Sequence, residues 1–242
     1  MSEIGIAVDP GLASGPAPLP QPTVLPGRVV TLRPFDRASQ AEALYQATHG
    51  PEKEDQWRYM SEGPFASRAD FDVAFDRKAG SADPLFFAIV DNATGVPVGQ
   101  AAYMRMEPRH RVIEVGNIIF TPALQRSRGA TEAMYLLARH VFDHLGYRRY
   151  EWKCNALNQP SRRAALRLGF VFEGVFRQHM IIKGRNRDTA WFSMLDSEWP
   201  LRRANFERWL APSNFDSAGG QVLSLASMNR DVSPKASSAT FR

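Results

Sequence analysis

The stretch from Val112 to Phe170 constrains the fold more than any other part of this sequence. It opens as a strand, VIEVGNIIF, passes through a loop bearing Arg and Gly, and continues as an amphipathic run from Gly129 to Leu145. A second strand follows from Arg148 to Asn155. A helix of that length between two strands is a crossover connection, so the strands are expected to lie parallel. Side chains alternate along a strand, which sends Tyr150, Trp152 and Cys154 to one face and Arg149, Glu151 and Lys153 to the other. A short helix from Pro160 to Leu168 comes next, with Pro in its first turn and Gly169 just past its end.

The loop Gln125-Arg126-Ser127-Arg128-Gly129-Ala130-Thr131 sits where the first strand hands over to the crossover helix. There the first-turn N–H groups lack intrahelical partners and the helix dipole is positive. Two arginines and a glycine in such a turn make an anion site, and phosphate is its usual occupant.

The remaining segments fit around this unit. Arg28–Arg33 is β-rich, and Ala38–Thr48 places Ala41, Leu44, Tyr45 and Thr48 on one helical face. Ser67 is a candidate N-cap for a helix through Lys78. Leu85–Val90 and Val98–Met106 flank the turn Asp91–Gly95 as a hairpin. Val171–Phe176 and Thr189–Leu195 form a closing hairpin around residues 183–188, and Leu201–Leu210 is a terminal amphipathic helix. The expected fold class is α/β, a mixed sheet whose front is an antiparallel meander. Residues 1–26 are Pro-rich and residues 212–242 are polar, so both are expected to be disordered or flexible around a domain at 27–211.

Composition narrows the functional classes. No apolar run approaches the roughly 20 residues of a membrane span, and the N-terminus lacks a signal-peptide pattern. The single cysteine, Cys154, excludes an intramolecular disulfide and argues against a Cys-based zinc site, so a reducing cytoplasm is the expected location. The net charge is +5, with 25 arginines and 5 lysines. The arginines are scattered among acids without a long basic run, which argues against nucleic-acid binding. His140 and His144 lie at i,i+4, but no metal constellation accompanies them, so no metal is expected.

A mixed sheet with a central parallel pair joined through an Arg/Gly loop and helix resembles the GCN5-related N-acetyltransferase (GNAT) family. That fold has six or seven strands and about four helices. The family signature, Gln/Arg-x-x-Gly-x-Gly/Ala, is approached by Arg126-Ser127-Arg128-Gly129-Ala130-Thr131, with Thr131 departing at the last position. Asn158-x-x-Ser161 and Leu168-Gly169-Phe170 resemble the branch that acetylates ribosomal-protein N-termini. Phe172-Glu173-Gly174-Val175 and Asp188 also match that branch.

The resemblance implies acetyl-CoA as cosubstrate, with its pyrophosphate on the turn Gln125–Thr131 and its pantetheine arm beside Ile118, Ile119, Phe120 and Asn158. An acceptor amine with pKa near 10.4 is mostly protonated at neutral pH, so a base is needed. Glu114 is the first candidate, with a surface or salt-bridged strand residue as its alternative reading, and Glu173 is the second. The tyrosine that many members carry seven residues after the Asn is replaced here by Ala165. Ser161 therefore becomes the candidate proton donor to the leaving thiolate, with helix capping as its alternative. Cys154 is expected to be a buried core thiol.

The implied activity is acetyl transfer to a primary amine, on a small molecule or a protein N-terminus, by direct attack in a ternary complex. The alternative is a non-catalytic acyl-CoA sensor with the same fold. Glu52, Glu54, Asp55 and Glu62 make the segment after the first helix acidic, which would suit a cationic amine. The expected assembly is a monomer or homodimer.

Overall fold

The computed structural model describes residues 15–230. Eight strands form one sheet: β1 (Leu25–Pro26), β2 (Val30–Pro34), β3 (Leu85–Asp91), β4 (Pro97–Glu107), β5 (Val112–Phe120), β6 (Arg149–Asn155), β7 (Val171–Ile182) and β8 (Arg185–Leu195). Their spatial order is β1-β2-β3-β4-β5-β6-β8-β7. Only β5 and β6 run parallel, as the crossover requires, and every other neighbouring pair is antiparallel. Six α-helices accompany the sheet: α1 (Arg37–Thr48), α2 (Arg68–Ala79), α3 (Arg128–Arg139), α4 (Gln159–Leu168), α5 (Trp199–Leu210) and α6 (Leu225–Arg230). These counts slightly exceed the expected six or seven strands and four helices, because a two-residue edge strand and a C-terminal helix were not foreseen.

Strand alternation gives the sheet two apolar faces. Along β3, Leu85, Phe87 and Ile89 enter the large core beneath α3, while Phe86, Ala88 and Val90 enter a smaller core with α1 and α2. The α3 segment is buried on all sides from Gly129 to Ala138, as befits a helix wedged between sheet and further helices. It ends in a wide π-helical turn, His140–His144. The Tyr103 hydroxyl donates to the Leu137 carbonyl at 2.8 Å just before that turn. Local caps agree with the sequence: Ser67 accepts from the Asp70 N–H at the start of α2, and Gly169 adopts φ 97° after α4.

The termini correct the expectation of disorder where they are described. Ala17 is buried and its N–H donates to the Pro108 carbonyl, so residues 15–26 run as an ordered strap. Residues 212–230 also pack: Leu225 and Met228 join the large core, and Asn229 donates to the Arg167 carbonyl while its own carbonyl accepts from Arg202. The low apolar content of these segments hid a few well-placed anchors. Residues 1–14 and 231–242, the rest of the two tails, lie outside the described residues.

Candidate active site

The two central strands separate partway along their length. Pairing between β5 and β6 runs only from Val112↔Arg149 to Val115↔Trp152, although β5 continues to Phe120 and β6 to Asn155. The cause is local. Asn117 has φ 51°, and the β4–β5 register shifts between Gln100 and Ala102, so β5 bends. The Gln100 amide donates to the Asn117 carbonyl at 3.0 Å and fixes the kink. Gly116 is needed there, since a Cβ would stand 2.5 Å from the Met104 sulfur. Among the described residues, 116–120, which include Ile118, Ile119 and Phe120, therefore have no strand partner on the β6 side. An extended, amide-rich ligand can add to such an edge.

The Arg-bearing loop lies beyond Phe120. The Gln125 side-chain amide donates to the Phe120 carbonyl, and Arg126 adopts φ 59° with its side chain exposed. Ser127 caps α3: its hydroxyl accepts from the Ala130 N–H at 3.1 Å and donates to the Leu124 carbonyl at 2.7 Å. The preceding first-turn N–H groups of Arg128 and Gly129 have no partner within the helix. Gly129 does not expose its bare Cα to this opening. A Cβ there would lie 2.8 Å from Val30 Cγ1 and 3.2 Å from Leu124 Cδ1, so the glycine lets α3 close onto β2. The Arg128 guanidinium sits 3.8 Å above the Phe215 ring, a contact from the C-terminal segment. Thr131 is buried, and its hydroxyl accepts from Arg167 at 3.0 Å. The departure at this position is thus a tie between α3 and α4.

At the open end of β6, Asn158 caps α4 by accepting the Ser161 N–H at 3.1 Å. The Ser161 hydroxyl accepts the Trp152 indole N–H at 3.0 Å and lies against the Cys154 thiol. Asn158 therefore takes the capping role, and the Ser161 hydroxyl sits between the Trp152 indole and the Cys154 thiol. Burial pushes the Cys154 thiol up, against smaller lowering effects from Ser161, Arg187 and Arg162, so it is a poor nucleophile.

On the opposite face of the sheet a chain of ion pairs runs across four strands. Arg105 Nη1 donates to both Glu114 oxygens at 2.9 Å, and Lys153 Nζ lies 2.9 Å from Glu114 Oε2. Lys153 also reaches Glu151 at 2.7 Å, and Arg149 joins Glu151 at 2.6 Å to Glu173 at 2.6 Å. Ser193 completes the line by donating to Glu173. The Glu114 and Lys153 side chains are only 3% and 7% exposed, whereas Arg105 is 44% exposed. Asp83 sets the Arg105 bulge, its carboxylate accepting the N–H groups of Arg105 and Met106. Arg149 holds the Glu173 carboxyl below its usual range, against desolvation, with help from Ser193.

The same face is closed from above by the segment between α1 and α2. Lys183, at the β7–β8 turn, donates to the carbonyls of Trp57 and Gly63. Trp57 is buried in an aromatic cluster with His49 and Phe65. The acidic residues of this segment are largely engaged: Glu62 with Arg77 and Lys78, and Asp55 with Arg58. Glu52 and Glu54 are exposed. Among the functional groups not foreseen from sequence are Arg105, Arg187 and Phe215. Strand alternation did put Lys153 and Glu151 on one face, but which carboxylate they would meet depended on the parallel register Glu114↔Glu151.

Comparison with known proteins agrees with this architecture. Residues 30–171 match the model of the acetyltransferase (GNAT) domain, and the chain belongs to that family. A GCN5-related N-acetyltransferase from Brucella melitensis superposes with TM-score 0.87 at 48% identity, covering 89% of this chain and 97% of that one. A probable GNAT-family acetyltransferase from Chromobacterium violaceum ATCC 12472 gives TM-score 0.73 at 37% identity over 81% of this chain and 98% of that one. The uncharacterized N-acetyltransferase YoaA of Bacillus subtilis (strain 168) is 31% identical over 98 residues, which is 40% of this chain. The match spans about half, 55%, of that relative's length. No helix among the described residues is long and apolar enough to cross a membrane.

Proposed function

We propose that this protein moves an acetyl group from acetyl-CoA to a primary amine by direct attack. The observation that carries the reading is the loss of β5–β6 pairing after Val115, next to the first-turn N–H groups of α3 that have no partner within the helix. The unpaired edge at 116–120 suits the amide-rich arm, and the Arg126–Ala130 turn suits the pyrophosphate. Acetyl-CoA supplies the activated acetyl thioester. The Ser161 hydroxyl, oriented by Trp152, is positioned to donate a proton to sulfur.

Glu114 is the proposed acceptor of the amine proton. Its two oxygens are held by Arg105 and Lys153, and Arg105 is the exposed partner that can swing away. Glu173 is the weaker candidate because its cation Arg149 is less exposed than Arg105 and grips both its oxygens, with Ser193 donating as well. The test is a panel of amines with acetyl-CoA, reading CoA-thiol release and the mass of the product. Acetylated product is the expected result. Tight acetyl-CoA binding without release of thiol for any amine would replace this reading with the non-catalytic sensor.

A further inference from the structure

Among the described residues, the carboxylates on the ion-paired face are matched, whereas the part-buried Arg187 has no carboxylate partner. Glu114 binds Arg105 and Lys153, Glu151 binds Lys153 and Arg149, and Glu173 binds Arg149. Arg187 lies on β8 on this same face. Its alternation with Thr189 and Trp191 sets that side, since Trp191 pairs with Lys153 in register and holds the ammonium 3.9 Å from its ring. Among the described residues, the Arg187 side chain makes one hydrogen bond, from Nε to the Thr189 hydroxyl at 3.2 Å. Both terminal amino groups have no partner among the described residues, although the residue is only partly exposed.

The surroundings are built rather than accidental. The Thr189 hydroxyl that anchors Arg187 also meets His179 Nδ1 at 3.0 Å. The His179 ring lies against Phe176 at 5.7 Å and Trp191 at 5.9 Å, so the threonine that anchors Arg187 is itself tied to an aromatic cluster. Burial disfavours the charged form of Arg187 and the Glu114 carboxylate supports it, which agrees with its place on β8 beyond Trp191, whose register partner Lys153 is ion-paired to Glu114. A half-desolvated guanidinium with its fork open is the protein group best suited to a carboxylate, through two parallel N–H···O bonds.

We propose that Arg187 recognises a carboxylate on the acceptor, so that the substrate class is an amine carrying an acid group rather than a polyamine. The inference rests on the proposed acetyl transfer at this site and goes further by naming the acceptor chemistry. The carboxylate can belong to a free amino acid or to an acidic residue at a peptide N-terminus, and the assay separates these sources.

The experiment compares matched pairs: glycine and β-alanine against their amides, peptides starting with Asp or Glu against those starting with Asn or Gln, and spermidine. We expect kcat/KM to favour the acid of the preferred pair by about 10- to 100-fold, the scale of one charge-assisted bidentate contact. Arg187→Gln should erase that ratio, and Arg187→Lys, which keeps the charge but loses the fork, should restore only part of it. Calorimetric acetyl-CoA affinity should be unchanged in both, which also shows that they fold. Binding of the same compounds is measured by ligand-observed NMR, so the result does not depend on turnover. Arg187-dependent binding of the acid without acetylation would retain the subsite and remove the transfer reading. Equal use or binding of acid and amide by the wild type, or an acid preference that survives in Arg187→Gln, overturns the proposal. Preference for spermidine does the same and assigns recognition to the exposed Glu52 and Glu54.

Discussion

Glu114 carries two possible duties, and single substitutions can separate them. As a base it must lose one of its cations when the amine arrives; as an anchor it holds Lys153 against Glu151. If it takes the proton, Glu114→Gln should lower turnover by about 100-fold near neutral pH. That loss should shrink as pH rises towards the amine pKa of about 10.4, where free amine no longer needs a base. An anchoring role alone would give a loss that is flat with pH. Ser161→Ala should cost less, with no such recovery, because a thiol with pKa of about 8.5 is already a tolerable leaving group. Glu173 makes a different prediction. Its carboxyl is held below the ordinary glutamate value of about 4.5 by Arg149, so the folded state favours the ionised form. The stability it contributes is present in full above about pH 4.5 and is lost as pH falls through the lowered folded value. Urea titrations of wild type and Glu173→Gln should therefore differ at pH 6 and converge at low pH.

At the level of elements, the sequence was legible wherever period and punctuation agreed. The span Val112–Phe120 emerged with its predicted bounds, and the Ser67 cap, the Gly169 stop and the parallel β5–β6 pair were all visible in advance. The ends were not. Leu25 is paired with Leu32 and buried although it lies in a Pro-rich run. Leu225 and Met228 fill the core from a polar tail. Composition averages over a window, whereas one or two anchors are enough to dock a segment whose backbone bonds are met locally. The ion chain was hidden for another reason: alternation gives the face of a residue but not its neighbour on the next strand. A sharp consequence concerns residues 212–230. Removing everything after Ala211 strips Leu225 and Met228 from the core, each worth about 1.5–3 kcal/mol when buried. The loss of at least about 3 kcal/mol should lower Tm by about 6–12 °C. It also removes Phe215 from Arg128, so acetyl-CoA affinity should weaken in the truncated protein at temperatures where it remains folded. A truncated chain with unchanged Tm would contradict the observed packing.

Across the whole molecule, the sheet brings two separate polar regions to the ends of one gap. The Arg-bearing turn and the start of α3 lie past the end of β5, while the ion-paired face lies on the other side of the sheet. Lys183 ties the α1–α2 segment to the β7–β8 turn through the carbonyls of Trp57 and Gly63, together with the weaker pull of Glu62 on its charge. Two distant parts of the chain, 120 residues apart, are thus held over the proposed acceptor side by one ammonium. Burial lowers the Lys183 pKa, but the two carbonyls need its N–H groups rather than its charge. Lys183→Met keeps the length of the stem and removes the donors. It should loosen the cover and raise KM for the acceptor by about 5- to 10-fold, the loss of roughly one hydrogen bond to a charged group. The acetyl-CoA dissociation constant should stay within a factor of two, because the turn at Arg126–Ala130 is not touched. Lys183→Arg, with its longer forked head, should recover part of the loss. Equal changes in acceptor KM and acetyl-CoA affinity would instead mean that Lys183 supports the fold as a whole, and the closure of the acceptor side would have to be sought in the packing of Trp57 against His49 and Phe65.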